Sequence, residues 1–515
     1  MTLLTLNQSS RLFNLCKKYS NLRVDKLGSQ LVEFYSTVIS QNPVSGQTCS
    51  HQKPPKMYGQ PTPLTHPHLL SPGELVPGIK LEEFKERRKT LVKHIVETGK
   101  ISSHPHIIII PSATKVYMSD KIPYFFRQNT DFLYFTGCQE PDSILLIVVN
   151  GEKYESTLFV QKKDLKSELW DGPRTGAEAA IDMFGVDRSL PISDFEFFIS
   201  SIISEDKNST FWYENNEQIH PEFHKKILQL VKSTGLRSVT SPQTIFHNIR
   251  LIKSPAEIQL MKKSCDIASA AITKTIEVSK PGMSEHELFA IVDYECRMNG
   301  AEHLAYPPVV AGGKNANIIH YIKNNQIVNR KEMVLMDAGC EYHGYSSDIT
   351  RTWPIDGTFT PQQRILYEIV LEVQKSLIKK VEEFITLDQI FYEMCRLLGK
   401  RLQEIGLIPK DFSSEKAVSA AYSYCPHHVS HYLGMDVHDV GKVTRSLQTK
   451  PGMIITVEPG IYVNPKNELA LPEFYNLGIR IEDDVLIGES GSIVLTKNCP
   501  KEIEQIESLA KLNQL

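Results

Sequence analysis

The 515-residue sequence contains no pair of cysteines at metal-knuckle or redox spacing. Its nine cysteines run from Cys16 to Cys499, and no two lie nearer than the 30 positions between Cys395 and Cys425. Zinc ribbons and CxxC redox sites are thereby excluded, and an odd, dispersed set does not make a secreted disulfide framework. The thiols read as free and buried in a reducing compartment. A basic surplus is also missing. The 57 Lys and Arg stand against 60 Asp and Glu, a net charge of −3, which speaks against nucleic-acid binding. No apolar run approaches the roughly 18 residues that cross a bilayer. The longest, Ile144–Val149, is strand-sized, so no membrane span is expected. There is no GxxxxGK[ST], GxGxxG, HExxH or GxSxG, which removes the phosphate-loop, dinucleotide, zincin and serine-hydrolase readings.

Acidic residues are absent from Met1 to Val24, where Arg11, Lys17, Lys18 and Arg23 stand among Ser, Thr, Asn and spaced leucines. A secretory signal would show a continuous apolar core. Basic, hydroxyl-rich and acid-poor is the make-up of a mitochondrial transit peptide, with a disordered tail as the alternative. Residues 1–58 are expected to be this leader and a lead-in rich in Pro, Ser, Gln and His. The mature protein is then expected in the mitochondrial matrix, with a cytoplasmic pool as a second address.

Residues 59–247 carry helical periodicity from Ile79 through Leu81, Phe84, Leu91 and Ile95. Strand-like runs follow at Ile107–Ile110, Lys115–Met118, Phe132–Phe135, Ile144–Val149 and Thr157–Val160. Helices are expected near Phe195–Ile203 and Phe223–Val231, with a strand at Phe211–Tyr213 between them, giving an α/β domain. Residues 248–510 open on Ser254-Pro255-Ala256-Glu257, an N-cap serine with proline at the first helical position and a capping-box glutamate. The device recurs at Ser284-x-x-Glu287, Thr360-Pro361-x-Gln363 and Thr386-x-x-Gln389. Four helix starts share this half with β-rich runs at Met333–Cys340, Met453–Val457 and Asp484–Ile487, which predicts α+β.

Chemistry concentrates in this second half. Val334-Leu335-Met336-Asp337 is an apolar strand ending on an acid, and the chain returns through His343-Gly344 to Asp348. Two carboxylates brought together across such a hairpin repel unless a cation lies between them; the alternative is two surface-turn aspartates. Cys425 to Asp439 contains four of the chain's 17 histidines: His427, His428, His431 and His438. Imidazole serves as a metal ligand or as a proton carrier near neutral pH. Glu458 ends a β-branched strand and Glu482 lies in another short apolar run. Each must be paired, protonated or metal-bound if buried, and Arg480 offers Glu482 a simple ion pair. Together Asp337, Asp348, His431, Glu458 and Glu482 make an oxygen-rich donor set. It suits two divalent ions, Mn²⁺ first, with Co²⁺ or Zn²⁺ as alternatives.

The stretches DAGCEYHGYSSDITRTWP, HHVSHYLGMDVHD, TVEPGIY and RIEDD resemble the pita-bread metallopeptidases. GQPTPLTHPHLLSPGELVPG, FRQNTDFLYFTGCQEPDSILL, ELWDGPRTG and LAYPPVVAGG resemble aminopeptidase P within that family, and its mitochondrial members in particular. The resemblance covers about Gly59 to Ile506. It implies an α/β N-terminal domain followed by an α+β pita-bread catalytic domain. The implied activity is release of the residue preceding a proline, by attack of a hydroxide bridging two metals. The five donors above match the family's metal positions, with Glu458 also accepting the proton. His427, His438 and His320 match its active-site histidines, Tyr306 a substrate contact, and Arg480 the support of the bridging glutamate. His428 has no family counterpart and reads as structural. The substrates implied are peptide or protein N-termini with proline second, and the implied assembly is a homodimer. Trimming of single residues from imported mitochondrial proteins without need of proline, an inactive adaptor, and dipeptide hydrolysis are the other readings.

Overall fold

The computed structural model describes residues 56–98, 104–151, 153–206, 208–216, 219–234 and 239–511. Nearly all of the expected leader and lead-in, residues 1–55, lies outside them. From Lys56 onward the chain forms one compact unit.

Its first layer is a six-stranded mixed sheet. In spatial order the strands are Val239–Thr240, Thr210–Trp212, His106–Pro111, Ile144–Asn150, Lys153–Val160 and Arg188–Pro191. Three neighbouring pairs are parallel, and the central strands pair antiparallel. The near-continuous Ile and Leu runs arise because both faces are covered. Ile108, Ile110, Leu145 and Ile147 face the helix Leu81–Thr98 through Phe84, Leu91 and Ile95. Their alternates Ile107, Ile109, Ile144 and Leu146 meet Ile199, Ile203 and Ile227 on the other side. Each such fully buried side chain stabilises by roughly 1.5–3 kcal/mol.

Two expectations in this layer fail. Phe132–Phe135 is no strand but part of the helix Thr130–Thr136. Asn129 accepts from the Phe132 N–H at 2.9 Å, and Gly137, at φ 66°, closes the helix in the left-handed region. A four-residue aromatic run does not distinguish a strand from a buried helix; the caps do. The strand expected at Lys115–Met118 instead occupies Tyr117–Ser119, paired with Ile122–Pro123.

The second layer contains three short antiparallel sheets that position the site. Val309–Gly312, Met333–Asp337 and Thr350–Pro354 form one, with Asp337 opposite Thr350. Ile454–Val457, Asp483–Ile487 and Ser492–Val494 form another, and Gly460–Tyr462 with Gly478–Arg480 a third. Four long helices pack around them: Pro255–Val278, Glu285–Met298, Pro361–Val381 and Leu387–Glu404. All four begin on the expected residues, Ser254, Ser284, Thr360 and Thr386, each in a complete capping box. The expected border at 247/248 falls inside the helix Gln243–Leu251, so a helix rather than a loose linker joins the two layers. Among the described residues no helix is long and apolar enough to cross a membrane.

Candidate active site

The loop from Asp337 to Asp348 is held shut by close backbone approach. A Cβ on Gly339 would stand 1.7 Å from the Ser347 carbonyl oxygen, so only glycine fits there. His343 and Gly344, at φ 50° and 82°, make the two-residue turn of the small hairpin Cys340–Tyr342 with Tyr345–Ser346. Ser346 N–H donates to the Gly434 carbonyl, which ties this loop to the histidine-rich one. That second loop is pinned where Tyr432 bridges Ile455 of the strand Ile454–Val457, which Glu458 follows.

The result brings all five expected donors to one cavity of about 700 Å³, with His320, His427, His438 and Arg480 also in its wall. A carboxylate oxygen of Asp348, one of Glu482 and a ring nitrogen of His431 lie within 4.8 Å of one another. His431 Nε2 is 3.3 Å from Asp348 Oδ2 and 3.6 Å from Glu458 Oε1. Asp337 joins the group through the Tyr306 hydroxyl, 2.6 Å from Oδ1 of both Asp337 and Asp348. Asp337 and Asp348 are therefore not surface-turn aspartates.

Arg480 does not make the simple ion pair with Glu482 that their spacing suggested. Its Nη2 donates to Asp337 Oδ2 at 2.6 Å, its Nη1 to the Tyr462 hydroxyl and its Nε to the Thr350 hydroxyl. Thr350 in turn donates to Glu482 Oε2 at 2.6 Å, so the arginine reaches that glutamate only through a threonine. The strand ends at Arg480, and Glu482 lies beyond it, so period-two face sharing does not apply. His320 and His438 are exposed at the mouth, the latter with its ring 4.6 Å from that of His431. His427 is half-buried, with Nε2 2.9 Å from the Tyr462 hydroxyl and Nδ1 3.0 Å from the His428 carbonyl oxygen. His428 stacks on Phe391 and also lines the cavity. Thr350 and Tyr462 were missed as site residues. The signal for Thr350 is its register opposite Asp337, and Tyr462 lies in the quoted TVEPGIY.

The electrostatics fit a cation site. Burial pushes Glu458 up to about 7, against the pull of His431 and Arg480. Burial and then Asp348, Glu458 and Asp337 push Glu482 well above the usual carboxylate range. Burial raises Asp337 as well. Asp348 stays low despite its burial because His431 bonds it, and His431 is raised to about 9 by that bond. Four buried carboxylates sharing one imidazole and one guanidinium are short of positive charge, and divalent ions bound by oxygen donors supply it. Burial, with Arg480 beside it, lowers His427 to about 4, leaving a neutral imidazole at physiological pH.

The chain matches Metallopeptidase family M24 over residues 259–489 and the aminopeptidase P N-terminal domain over residues 84–212. It is 44% identical over 465 residues to Xaa-Pro aminopeptidase 3 of Rattus norvegicus, covering 88% of this chain and 91% of that protein. It is 39% identical over 472 residues to the mitochondrial intermediate cleaving peptidase 55 of Arabidopsis thaliana, covering 92% and 90%. Among solved structures, proline aminopeptidase P II from Yersinia pestis matches with a TM-score of 0.77 and 32% identity, covering 84% of this chain and 100% of that one. With the pita-bread architecture shared at this identity and donors for divalent ions in place, the chain belongs to the M24 metallopeptidases, in their aminopeptidase P branch.

Proposed function

We propose that this enzyme releases the N-terminal residue from peptides and proteins whose second residue is proline. The observation that carries this reading is the convergence of Asp337, Asp348, His431, Glu458 and Glu482 on one cavity beside His427, His438 and His320. High identity to Xaa-Pro aminopeptidase 3 supports the proline requirement. The five donors would hold two divalent ions, with Mn²⁺ the first candidate. Bound there, such ions supply Lewis acidity that acidifies water and polarises the scissile carbonyl.

The chain's own residues do the rest. Glu458, at the rim of the donor set, takes and returns the proton. His427, neutral and fixed by Tyr462, and His438 hold the substrate carbonyl and its developing charge. His320 stands by the departing proline nitrogen, which has no hydrogen of its own and must be protonated as it leaves. Tyr306 and His438 line the substrate. Arg480 fixes Asp337 and, through Thr350, Glu482. The division into residues 59–247 and 248–510 gives these roles to the second part. Mitochondrial location is supported by the named relative and by the acid-free leader. A homodimer is supported by the exposed Leu165, Leu169 and Trp170 of the helix Leu165–Asp171.

Identity to an intermediate cleaving peptidase favours a second reading, removal of single residues from imported mitochondrial proteins without need of proline. Matched peptides with Pro or Ala at the second position, assayed on the Mn²⁺-loaded enzyme, decide between them. Cleavage confined to the Pro peptide supports the first reading. Equal rates on both establish the second, and no cleavage of either overturns both.

A further inference from the structure

Behind the histidine-rich loop lies a partly buried charge network that the reaction does not use: Arg250, Asp131 and Asp439 are buried, while Arg127 and Asp436 are 38% and 35% exposed. Asp436, between His431 and His438 in sequence, is gripped by Thr130 and Arg127 of the first layer and by Arg250 of the helix that joins the layers. Its Oδ1 accepts from Thr130 Oγ1 at 2.7 Å and from Arg127 Nη2 at 3.1 Å. Its Oδ2 accepts from Arg250 Nη2 at 2.9 Å. Arg250 also binds Asp131 at 2.7 Å and Asp439, the residue after His438. Arg127 meanwhile reaches the loop between Asp337 and Asp348 through Glu341 at 2.6 Å. The two loops that carry the site are thus fastened to one pair of arginines. Gly434 lets the turn close, since a Cβ there would stand 2.2 Å from Asp439 Oδ2.

Ion pairs of this kind give little net stability, whether half-exposed as at Asp436 or buried as at Asp439, but the bonds fix geometry. Asp436 and Asp439 flank His438 in sequence and are both tied to Arg250, so the backbone that carries the His438 ring is fixed on either side. We infer that Asp436 is a positioning residue, through which the first layer sets His438 against the substrate. The inference rests on the role given to His438 above.

The test is a double-mutant cycle on the metal-loaded enzyme, with kcat, KM, bound metal and Tm measured for each variant. Asp436→Asn should lower kcat/KM by roughly tenfold to a hundredfold, the cost of a misplaced catalytic contact. Bound metal should be unchanged. His438→Ala should lower kcat/KM further, and adding Asp436→Asn to it should cost nothing more. Equal losses from Asp436→Asn with and without His438, or no loss at all, overturn the inference alone. Full activity of His438→Ala overturns the role of His438 and the inference with it. Should Asp436→Asn bind less metal or melt early, Thr130→Val removes one bond to Asp436 and no charge. Its smaller loss should likewise vanish in the His438→Ala background, and persistence there overturns the inference.

Discussion

Arg480 donates to Asp337 at 2.6 Å, although the carboxylate nearest to it in sequence is Glu482. The guanidinium is spread over three partners at once, the Asp337 carboxylate, the Thr350 hydroxyl and the Tyr462 hydroxyl, a geometry that only its planar fork provides. Arg480→Ala leaves Asp337 buried without its cation, a loss of about 3–5 kcal/mol for a broken buried pair. We expect a clear fall in Tm and at least a hundredfold loss of kcat/KM. Arg480→Lys should keep part of the stability and little of the activity. Thermal melts and peptide assays check this, and near-normal activity of the lysine variant would show that charge alone suffices.

A divalent ion held by the carboxylate cluster would stabilise the fold as well as serve catalysis. Anything bound to the native state alone raises stability, by about 4 kcal/mol at a thousandfold excess over its Kd. Chelation should abolish activity and lower Tm, and Mn²⁺ should restore both. Asp348→Ala and Glu482→Ala remove two of the three groups that lie within 4.8 Å of one another, and their Tm should no longer respond to Mn²⁺. An unchanged response in either variant would contradict the donor assignment.

Much of the site was legible because its chemistry is written in residue types that are rarely buried. Acids ending apolar strands at Asp337 and Glu458, and four histidines between Cys425 and Asp439, are visible without any coordinates. The capping boxes at Ser254, Ser284, Thr360 and Thr386 were legible for the same reason: a local hydrogen bond selects the residue type. What was not legible depends on contacts between distant segments. Arg480's preference for Asp337 requires that two separate sheets meet, and the Thr350 relay depends on register. The helix at Thr130–Thr136 escaped because its aromatic content matches strand propensity, and burial on several sides overrides such a preference. Nothing in the sequence marks Asp436, since its partners Arg250 and Arg127 lie 186 and 309 positions away.

The Tyr306 hydroxyl stands between two of the expected metal ligands, and it is buried against both. Its loss in Tyr306→Phe removes the one proton that the hydroxyl can donate to either carboxylate, a bond worth about 1.5–3 kcal/mol where a charged group is involved. The ring still fills its place, so the fold should survive. Activity should fall roughly tenfold to a hundredfold while circular dichroism and bound metal stay close to the parent's. Loss of both metal ions together with activity would instead make Tyr306 a support of the ligands rather than a substrate contact.

Ser254 caps the first long helix of the second layer and donates to Glu83 in the helix Leu81–Thr98 at 2.8 Å. Ser254→Ala therefore removes a cap and a tie between the layers together. A cap alone is worth about 1 kcal/mol, so the expected destabilisation is about 1–2 kcal/mol. Denaturant melts measure it. Since Ser254 lies outside the cavity wall, kcat and KM on a Xaa-Pro peptide should not move.

The helix Leu165–Asp171 buries none of its residues, yet it presents Leu165, Leu169 and Trp170 at 87%, 82% and 83% exposure. Seven residues do not hold a helix in water on propensity alone. Beside it the hairpin offers Tyr117, Met118 and Ile122, more than half exposed, and Lys115 bonds Asp171 at 2.7 Å to join the two. Val116, Tyr124 and Phe125 are also more than half exposed, and Lys115, Asp120, Lys121, Lys166 and Asp171 stand around Tyr117 and Trp170. A single apolar patch on a monomer is about 300–600 Å², and a stable interface takes about 800 Å² from each partner. A second copy of the chain, offering the same face across a two-fold axis, is the partner expected to cover these side chains. Leu169→Lys combined with Trp170→Asp places unpaired charges at the centre of the contact. We expect the parent to sediment as a dimer and this variant as a monomer that still binds metal at Asp348, His431 and Glu482. A variant that remains dimeric would place the interface elsewhere.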